Sequence, residues 1–355
     1  MSAAAAYVAA TGVVCPIGIG SAQASASFRA GLSAFSESSV HNREFEPIRM
    51  ALLPEDALPP LADALQNSSL TTRQRRLLRL LSPALAALAD SLPSPEQTPL
   101  YLALPGSHPG IAPPDWAAFF EALQPQTGLA FDQARSKLFL EGRAGGLLAL
   151  EAALDALPGG PAQVVVAGAD SFLDLRLLAT LDQDGRILGE RVMDGFIPGE
   201  AAACLLLTRK RPTANSVTQV VGATSAQDPG HRYGEAPALG EGLAQAIEAM
   251  RSTCSSFGPV HTVFAGLNGE SFGAKEWGVA RIRHSDLLAE GTTVEHPADC
   301  YGDVGAATGP LLMALADETL RRGDRRGPAL VWASSDTEAV GCAGLEVAGA
   351  AASVR

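Results

Sequence analysis

The chain has 355 residues, is 47% hydrophobic and 18% charged, and carries a formal charge of −12. That length accommodates one large domain or two ordinary ones, and the apolar fraction suffices for a sizeable core. The acidic balance excludes a general nucleic-acid binder, because phosphate contacts need a basic face. Five cysteines (Cys15, Cys204, Cys254, Cys300 and Cys342) are scattered without CxxC or Cys/His ligand spacing. Neither a disulfide framework nor a metal site is therefore expected, and no cofactor is implied. No stretch approaches the ~18 uncharged apolar residues that span a bilayer, and no positive segment precedes an apolar one at the N-terminus. The expectation is a soluble, cytoplasmic protein with no membrane and no nucleic-acid partner.

The first block opens with a β-rich run, Tyr7 to Val14, ending in Cys15-Pro16-Ile17-Gly18. A small-residue helix over about Ser21 to Ala30 follows. Residues 35–70 hold many Pro, Ser and Asn residues and read as an irregular excursion. Thr71 or Thr72 caps the next helix, whose Leu77, Leu78, Leu81, Leu85 and Leu88 recur at helical spacing. The basic run Arg73-Gln74-Arg75-Arg76 at its start reads as a solvated face or a partner contact. Pro99 to Leu104 is a buried strand, Gly142 to Leu157 a helix, and Gln163 to Gly168 a continuous apolar run of the kind covered on both faces. The second block repeats this order in shorter form. It has strands at Val217–Val221 and Val260–Ala265 and a helix at Leu243–Met250. A glycine-rich turn over Gly302–Gly309 then leads to a helix at Leu311–Leu320, and strands at Pro328–Ala333 and Gly344–Ala348 close the chain. Alternating strands and helices predict an α/β protein with mostly parallel sheets, and the doubled pattern predicts two related halves, 1–212 and 213–355.

Several segments resemble the β-ketoacyl synthases of the thiolase-like superfamily. Tyr7 to Gly18 is similar to their opening strand, in which Thr-Gly precedes a Pro-(hydrophobic)-Gly turn. Gln163 to Asp170, followed by Asp194-Gly-Phe-Ile-Pro-Gly-Glu-Ala-Ala202, resembles their central strand and Asp-Gly-Phe-x-x-Gly-Glu motif. Gly302 to Gly309 resembles their Gly-His-x-x-Gly-Ala-x-Gly turn with the histidine replaced. The resemblance implies a five-layered αβαβα sandwich of two similar halves, usually a homodimer. It also implies a cysteine nucleophile at a helix N-terminus, where backbone amides lower the thiol pKa and help to hold an oxyanion.

Carried over residue by residue, the resemblance implies a degenerate site. Matching Gly146-Leu147 places Arg143 on the cysteine, and arginine is a poor nucleophile whose guanidinium stays protonated. Between Leu138 and Leu150 there is no Cys, Ser or Thr to replace it. Asn268 takes the place of the first histidine and Asp303 that of the second, where a carboxylate would repel developing anionic charge. Ala298 stands at the usual lysine, and Thr337 to Cys342 replaces the Gly-Phe-Gly-Gly gate. The expected pocket also holds Glu270, Cys300 and Phe196. If Arg143 and Asp303 meet, they can pair, with Asn268 and Glu270 completing a polar network.

Each residue has a plainer reading beside the functional one. Arg143 is either a charge neutralised by a carboxylate or an anion anchor for a carboxylate or phosphopantetheine. Asp303 is a turn residue or helix cap on the plain reading, and Asn268-Gly269 a turn. Glu270 and Glu276 read as an acid/base pair or as solvated loop carboxylates, and Cys300 as a substitute nucleophile or an inert buried thiol. Asp194, Gly195 and Glu200 are expected to shape their loop. His261 and His284 lack an evident catalytic partner, and Trp116, Trp277 and Trp332 are expected in the core or an interface. The functional expectation is a non-condensing binding or scaffold subunit. It would form a homodimer, or a heterodimer with a synthase-like subunit in the manner of a chain length factor, or serve as a secretion-system accessory for an effector protein. Acyl carrier protein and acyl-CoA are the expected small partners. The alternative is an acyltransferase or thioester hydrolase using Asp303, Glu270 or Cys300.

Overall fold

A computed structural model describes residues 6–254 and 257–348. In chain order the first part contains strand β1 (Ala6–Cys15), the short β2 (Gly18–Ile19), helix α1 (Ser21–Arg29) and a hairpin of β3 (Ser36–His41) with β4 (Pro47–Met50). Then come α2 (Thr72–Ala86), β5 (Leu100–Ala103), α3 (Trp116–Thr127), β6 (Lys137–Phe139), α4 (Gly145–Ala156), β7 (Gln163–Ser171), α5 (Leu175–Gln183) and β8 (Glu200–Thr208). The second part contains β9 (Val217–Gln227), α6 (Glu241–Thr253), β10 (Val260–Ala265), α7 (Ser271–Arg283), β11 (Leu288–Glu295), α8 (Ala298–Tyr301), α9 (Thr308–Arg322), β12 (Ala329–Ser334) and β13 (Ala339–Ala348).

The strand orders β6-β5-β7-β8-β1 and β11-β10-β12-β13-β9 repeat one pattern. In each, the first three strands are parallel and the last two antiparallel to their neighbours. Among the described residues the two runs join through the pairs Ala6–Val220 and Tyr7–Gln219. Helices α4 and α9 pack against strands of both runs and form the middle layer, while α2 with α3 and α6 with α7 cover the outer faces. This is a five-layered αβαβα sandwich.

The layering follows from strand periodicity, because successive side chains point to opposite faces. Val164 and Val166 of β7 face the middle layer with Leu147, Leu150, Leu311 and Leu315, whereas Val165 and Ala167 face the α2–α3 layer with Leu77, Leu81 and Phe119. In the second run Val331 and Ala333 face the middle layer, and Leu330 and Trp332 lie under α6 and α7. A strand covered on both sides has no polar face, which is why β7 reads as an unbroken apolar run. All three tryptophans are buried, with Trp277 and Trp332 stacked at 5.7 Å.

Three expectations need correction. The sheet is mixed, not mostly parallel: β6-β5-β7 and β11-β10-β12 pair in parallel, while β7-β8-β1, β12-β13-β9, β1-β9 and β3-β4 are antiparallel. Residues 35–70 are not wholly irregular: the β3–β4 hairpin lies there, and its Ile48 and Met50 pack with Phe172, Leu178 and Phe196. The Arg73–Arg76 run is neither solvated nor left for a partner. Arg73 donates to Asp170 (2.6 Å), and Arg76 grips Glu200 with Nε (2.7 Å) and Nη2 (2.6 Å). Gln74 closes a capping box with Thr71, since its backbone N–H donates to the threonine hydroxyl and its side chain accepts from the Thr71 N–H. Arg76 shares the buried face of α2 with Leu77 and Leu80, so its charge needs an internal partner. Glu200 at the start of β8 supplies it.

Candidate functional site

The site forms where the first turn of α4, the turn between α8 and α9, the β10–α7 loop and the β12–β13 loop converge. Gly142 adopts φ +63 and opens a 3₁₀ turn over Gly142–Ala144 that feeds α4. A Cβ at Gly146 would overlap the Pro310 ring, so the small residue is what lets α4 and α9 approach closely. That approach puts Arg143 at the inner end of α4, with its side chain 11% exposed. One backbone N–H of the entry turn, that of Ala144, is satisfied across the fold by Ser335 Oγ (3.1 Å), which itself donates to Glu141 O.

Asp303 is held by backbone pairing to the Asp194–Ala202 motif. Its N–H donates to Ile197 O (2.8 Å), its carbonyl accepts from Gly199 N (2.8 Å), and its Oδ1 accepts from Gly305 N (2.9 Å). Its side chain has no exposed surface. Arg143 Nη1 donates to Asp303 Oδ2 at 3.0 Å, so the two residues meet. Arg143 also pairs with Asp336, and its Nε donates to Ser334 O (3.3 Å). Asn268 Nδ2 donates at 2.9 Å to both Asp303 Oδ2 and Glu270 Oε2, while its Oδ1 accepts from Glu270 N. Asn268-Gly269 is thus a turn, with Gly269 at φ +107, and the asparagine side chain bridges two carboxylates as well.

Residues that sequence reasoning missed complete the arrangement. Arg186 makes a bidentate grip on Glu270 (2.9 and 2.8 Å), contacts Asp336 through Nη1 (2.8 Å) and Nη2 (3.0 Å), and stacks over Phe196 at 5.3 Å. Arg232 lies 3.0 Å from Glu270 and 3.5 Å from Asp336. Three guanidiniums (Arg143, Arg186, Arg232) therefore face three carboxylates (Asp303, Glu270, Asp336), and the formal charges cancel. Arg186 follows the Gly185 turn and precedes the Asp194 motif. Asp336 and Arg232 sit in loops with no pattern that marks them.

Burial disfavours the charge on Arg143, but the Asp303 and Asp336 carboxylates outweigh it and raise its pKa. For Asp303 burial is the largest influence and pushes the carboxyl up, while Arg143, Asn268 and the Gly305 N–H pull the other way. Asp336 is partly buried, with its side chain 21% exposed, yet Arg143 and Arg186 hold it well below the usual carboxylate range.

The remaining candidates fall outside this cluster or prove less available. Glu270 and Glu276 are buried rather than solvated. Burial pushes Glu276 up to about 7, and its Oε2 has no hydrogen-bond partner. Cys300 is buried on α8, and desolvation raises its thiol pKa, an environment that suppresses thiolate. Asp194 ties down the start of α7, accepting from Ser271 N and Ser271 Oγ at 2.6 Å each. His284 Nε2 lies 2.9 Å from Ala244 O, and His261 lies on β10. Among the described residues no group of His, Cys, Asp and Glu is placed to hold a metal ion, and no helix is long and apolar enough to cross a membrane.

Neither a family model nor a curated protein sequence matches the chain. Solved structures do match it. A type II polyketide-synthase acyl-carrier protein in complex with its ketosynthase aligns with TM-score 0.75 at 14% identity, over 97% of this chain and 99% of that one. The ishigamide ketosynthase/chain length factor aligns with TM-score 0.70 at 18% identity, over 97% and 99%. The ketosynthase ApeO in complex with its chain length factor ApeC from Xenorhabdus doucetiae aligns with TM-score 0.73 at 16% identity, over 97% and 98%. The chain has the thiolase-like fold of the ketosynthases. Within this ketosynthase fold, the α4 start carries Arg143, and the turn between α8 and α9 carries Asp303. A shared fold does not transfer an activity.

Proposed function

We propose that the chain is a non-condensing subunit of ketosynthase fold, built of halves 1–212 and 213–355, that works in the cytoplasm as a binding or scaffold partner. The observation that carries this reading is the self-neutralising cluster of Arg143, Asp303, Asn268, Glu270, Arg186 and Asp336. Condensing chemistry needs a free nucleophile and groups that exchange protons or stabilise an anion. Here the guanidinium at the α4 start is engaged by two carboxylates and a carbonyl, and Cys300, the cysteine closest in sequence to Asp303, is buried. Those ion pairs fill the position where an acyl group would attach, so Arg143, Asn268 and Asp303 are read as structural replacements for lost catalytic residues.

The partner is a ketosynthase-like subunit, with the chain in the role of a chain length factor, or a second copy of itself. Support comes from the similar structures, two of which pair a ketosynthase with a chain length factor. Another contains an acyl-carrier protein, which makes carrier-protein contact part of the same proposal. The decisive test is incubation with acyl-CoA and acyl-carrier thioesters followed by intact mass, alongside sedimentation of the chain alone and with a ketosynthase. The expected outcome is no acylation at the α4 site and a stable dimer. Acylation or turnover abolished by Cys300→Ala or Asp303→Ala would overturn the reading.

A further inference from the structure

Beside the charge cluster, three loops bring together a tyrosine, a histidine and an arginine whose hydrogen-bond directions are fixed by their chemistry. Arg186 Nη1 lies 3.0 Å from Tyr233 Oη, and a guanidinium can only donate, so the phenol oxygen accepts there. His108 Nδ1 lies 3.0 Å from the Pro109 carbonyl, which can only accept, so Nδ1 carries a proton. In the neutral ring Nε2 is then the acceptor, and it sits 2.9 Å from Tyr233 Oη. The tyrosine hydroxyl thus donates to His108 while receiving from Arg186. The edge-on ring contact between His108 and Tyr233, 5.4 Å between centroids, fits that direction. Asp184 stands 4.0 Å from His108 Nε2, and Arg186 is itself clamped by Glu270 and Asp336.

The geometry points to Tyr233 as a nucleophile, with His108 as its general base, for uncharged acyl groups presented as activated esters or thioesters. The arrangement has a base within hydrogen-bond reach, a second group orienting that base, and a fixed cation, Arg186, that offsets part of the rise which burial and Asp336 impose on the Tyr233 phenol. Arg186 and Arg232 are already paired with Glu270 and Asp336, and Asp184 stands beside His108, so these guanidiniums are not available to a phosphoryl donor and an uncharged carbonyl carbon is the fitting electrophile. Tyr233 Oη bonds to the acyl carbon, and its proton passes to His108 Nε2. The ester oxygen or thioester sulfur departs with its bonding electrons and takes that proton. The product is an acyl-tyrosine, an aryl ester that water can then hydrolyse with the same base.

The activity lies apart from α4 and does not depend on the scaffold reading. The test is incubation of the full chain with p-nitrophenyl acetate, with p-nitrophenolate release and peptide mass mapping as readouts. The expected result is acetyl on Tyr233, lost in Tyr233→Phe, with release slowed about a hundredfold in His108→Ala and partly restored by added imidazole. Unfolding curves of both variants establish that they fold. Release and labelling unchanged in Tyr233→Phe, label on lysines alone, or no label at all would overturn the proposal. Label on Cys300 would instead overturn the scaffold reading, so the two failures are distinguishable.

Discussion

Replacing Arg143 with alanine strips from Asp303, whose side chain has no exposed surface, the only guanidinium paired with it among the described residues. At 3.0 Å and an effective dielectric of about 20, the Arg143–Asp303 attraction is roughly 5.5 kcal/mol. Desolvation of both groups cancels much of this, so the net value of the pair is far smaller than its removal cost. Asp336 keeps Arg186 and Arg232, whereas Asp303 keeps only Asn268 and the Gly305 N–H. The loss is therefore dominated by Asp303 and should fall near 3–5 kcal/mol at neutral pH. Asp303 is already raised by burial, and without Arg143 it should rise further and take up a proton. The defect of Arg143→Ala should then shrink as pH falls. Arg143→Ala combined with Asp303→Asn should recover most of the stability. Urea unfolding of the four species of this double-mutant cycle at several pH values measures each quantity. A single-variant cost below about 1 kcal/mol, or a cost that does not change with pH, would refute the view that Arg143 is held by the buried charge on Asp303.

Three further outcomes are expected. Glu276 has a folded-state pKa raised from 4.5 to about 7, so the folded chain binds its proton more tightly than the unfolded chain does. Its contribution is fully present below the unfolded value and lost as pH rises through about 7. Glu276→Gln should accordingly be about 2–3 kcal/mol more stable than the parent at pH 8 and similar to it near pH 4, by denaturant unfolding. Arg76→Ala leaves Glu200, whose side chain is fully buried, with the Leu53 N–H and the Ser171 hydroxyl alone, and should cost about 3–5 kcal/mol; equal stability in thermal unfolding would show that Arg76 is not needed there. Gly146→Ala drives a methyl into the Pro310 ring and should destabilise by about 1–3 kcal/mol through the α4–α9 contact, whereas an unchanged melting midpoint would mean that the helices can separate freely.

The fold was legible because its signals are local. β7 is apolar along its length since helices cover both faces, and the glycines near Arg143 and Asp303 mark places where backbone or a proline ring leaves no room for a side chain. Elements with mixed surfaces escaped detection. α7 buries only Glu276, Trp277 and Ala280, so it shows no apolar stripe, whereas α3 and α5 do carry apolar residues at helical spacing (Phe119, Ala122 and Leu123; Leu177, Leu178 and Leu181) that the sequence reading passed over. The Arg73–Arg76 run was misjudged for a related reason. Charge pattern shows which residues are ionised, but not that α2 turns Arg76 inward towards Glu200, which lies 124 residues further on.

The sequence by itself determined the strand–helix alternation, the doubled order of elements and the placement of Arg143, Asn268 and Asp303 in three separate turns, while their meeting was decided by the tertiary structure. Tertiary structure alone decided what those residues do. Asp336 reaches Arg143 across 193 residues and Arg186 reaches Asp336 across 150. Such pairs have no periodicity, because their geometry depends on how loops from both strand runs are packed around the middle helices. The charge balance that leaves this cluster satisfied exists only once Arg186, Arg232 and Asp336 arrive from those loops.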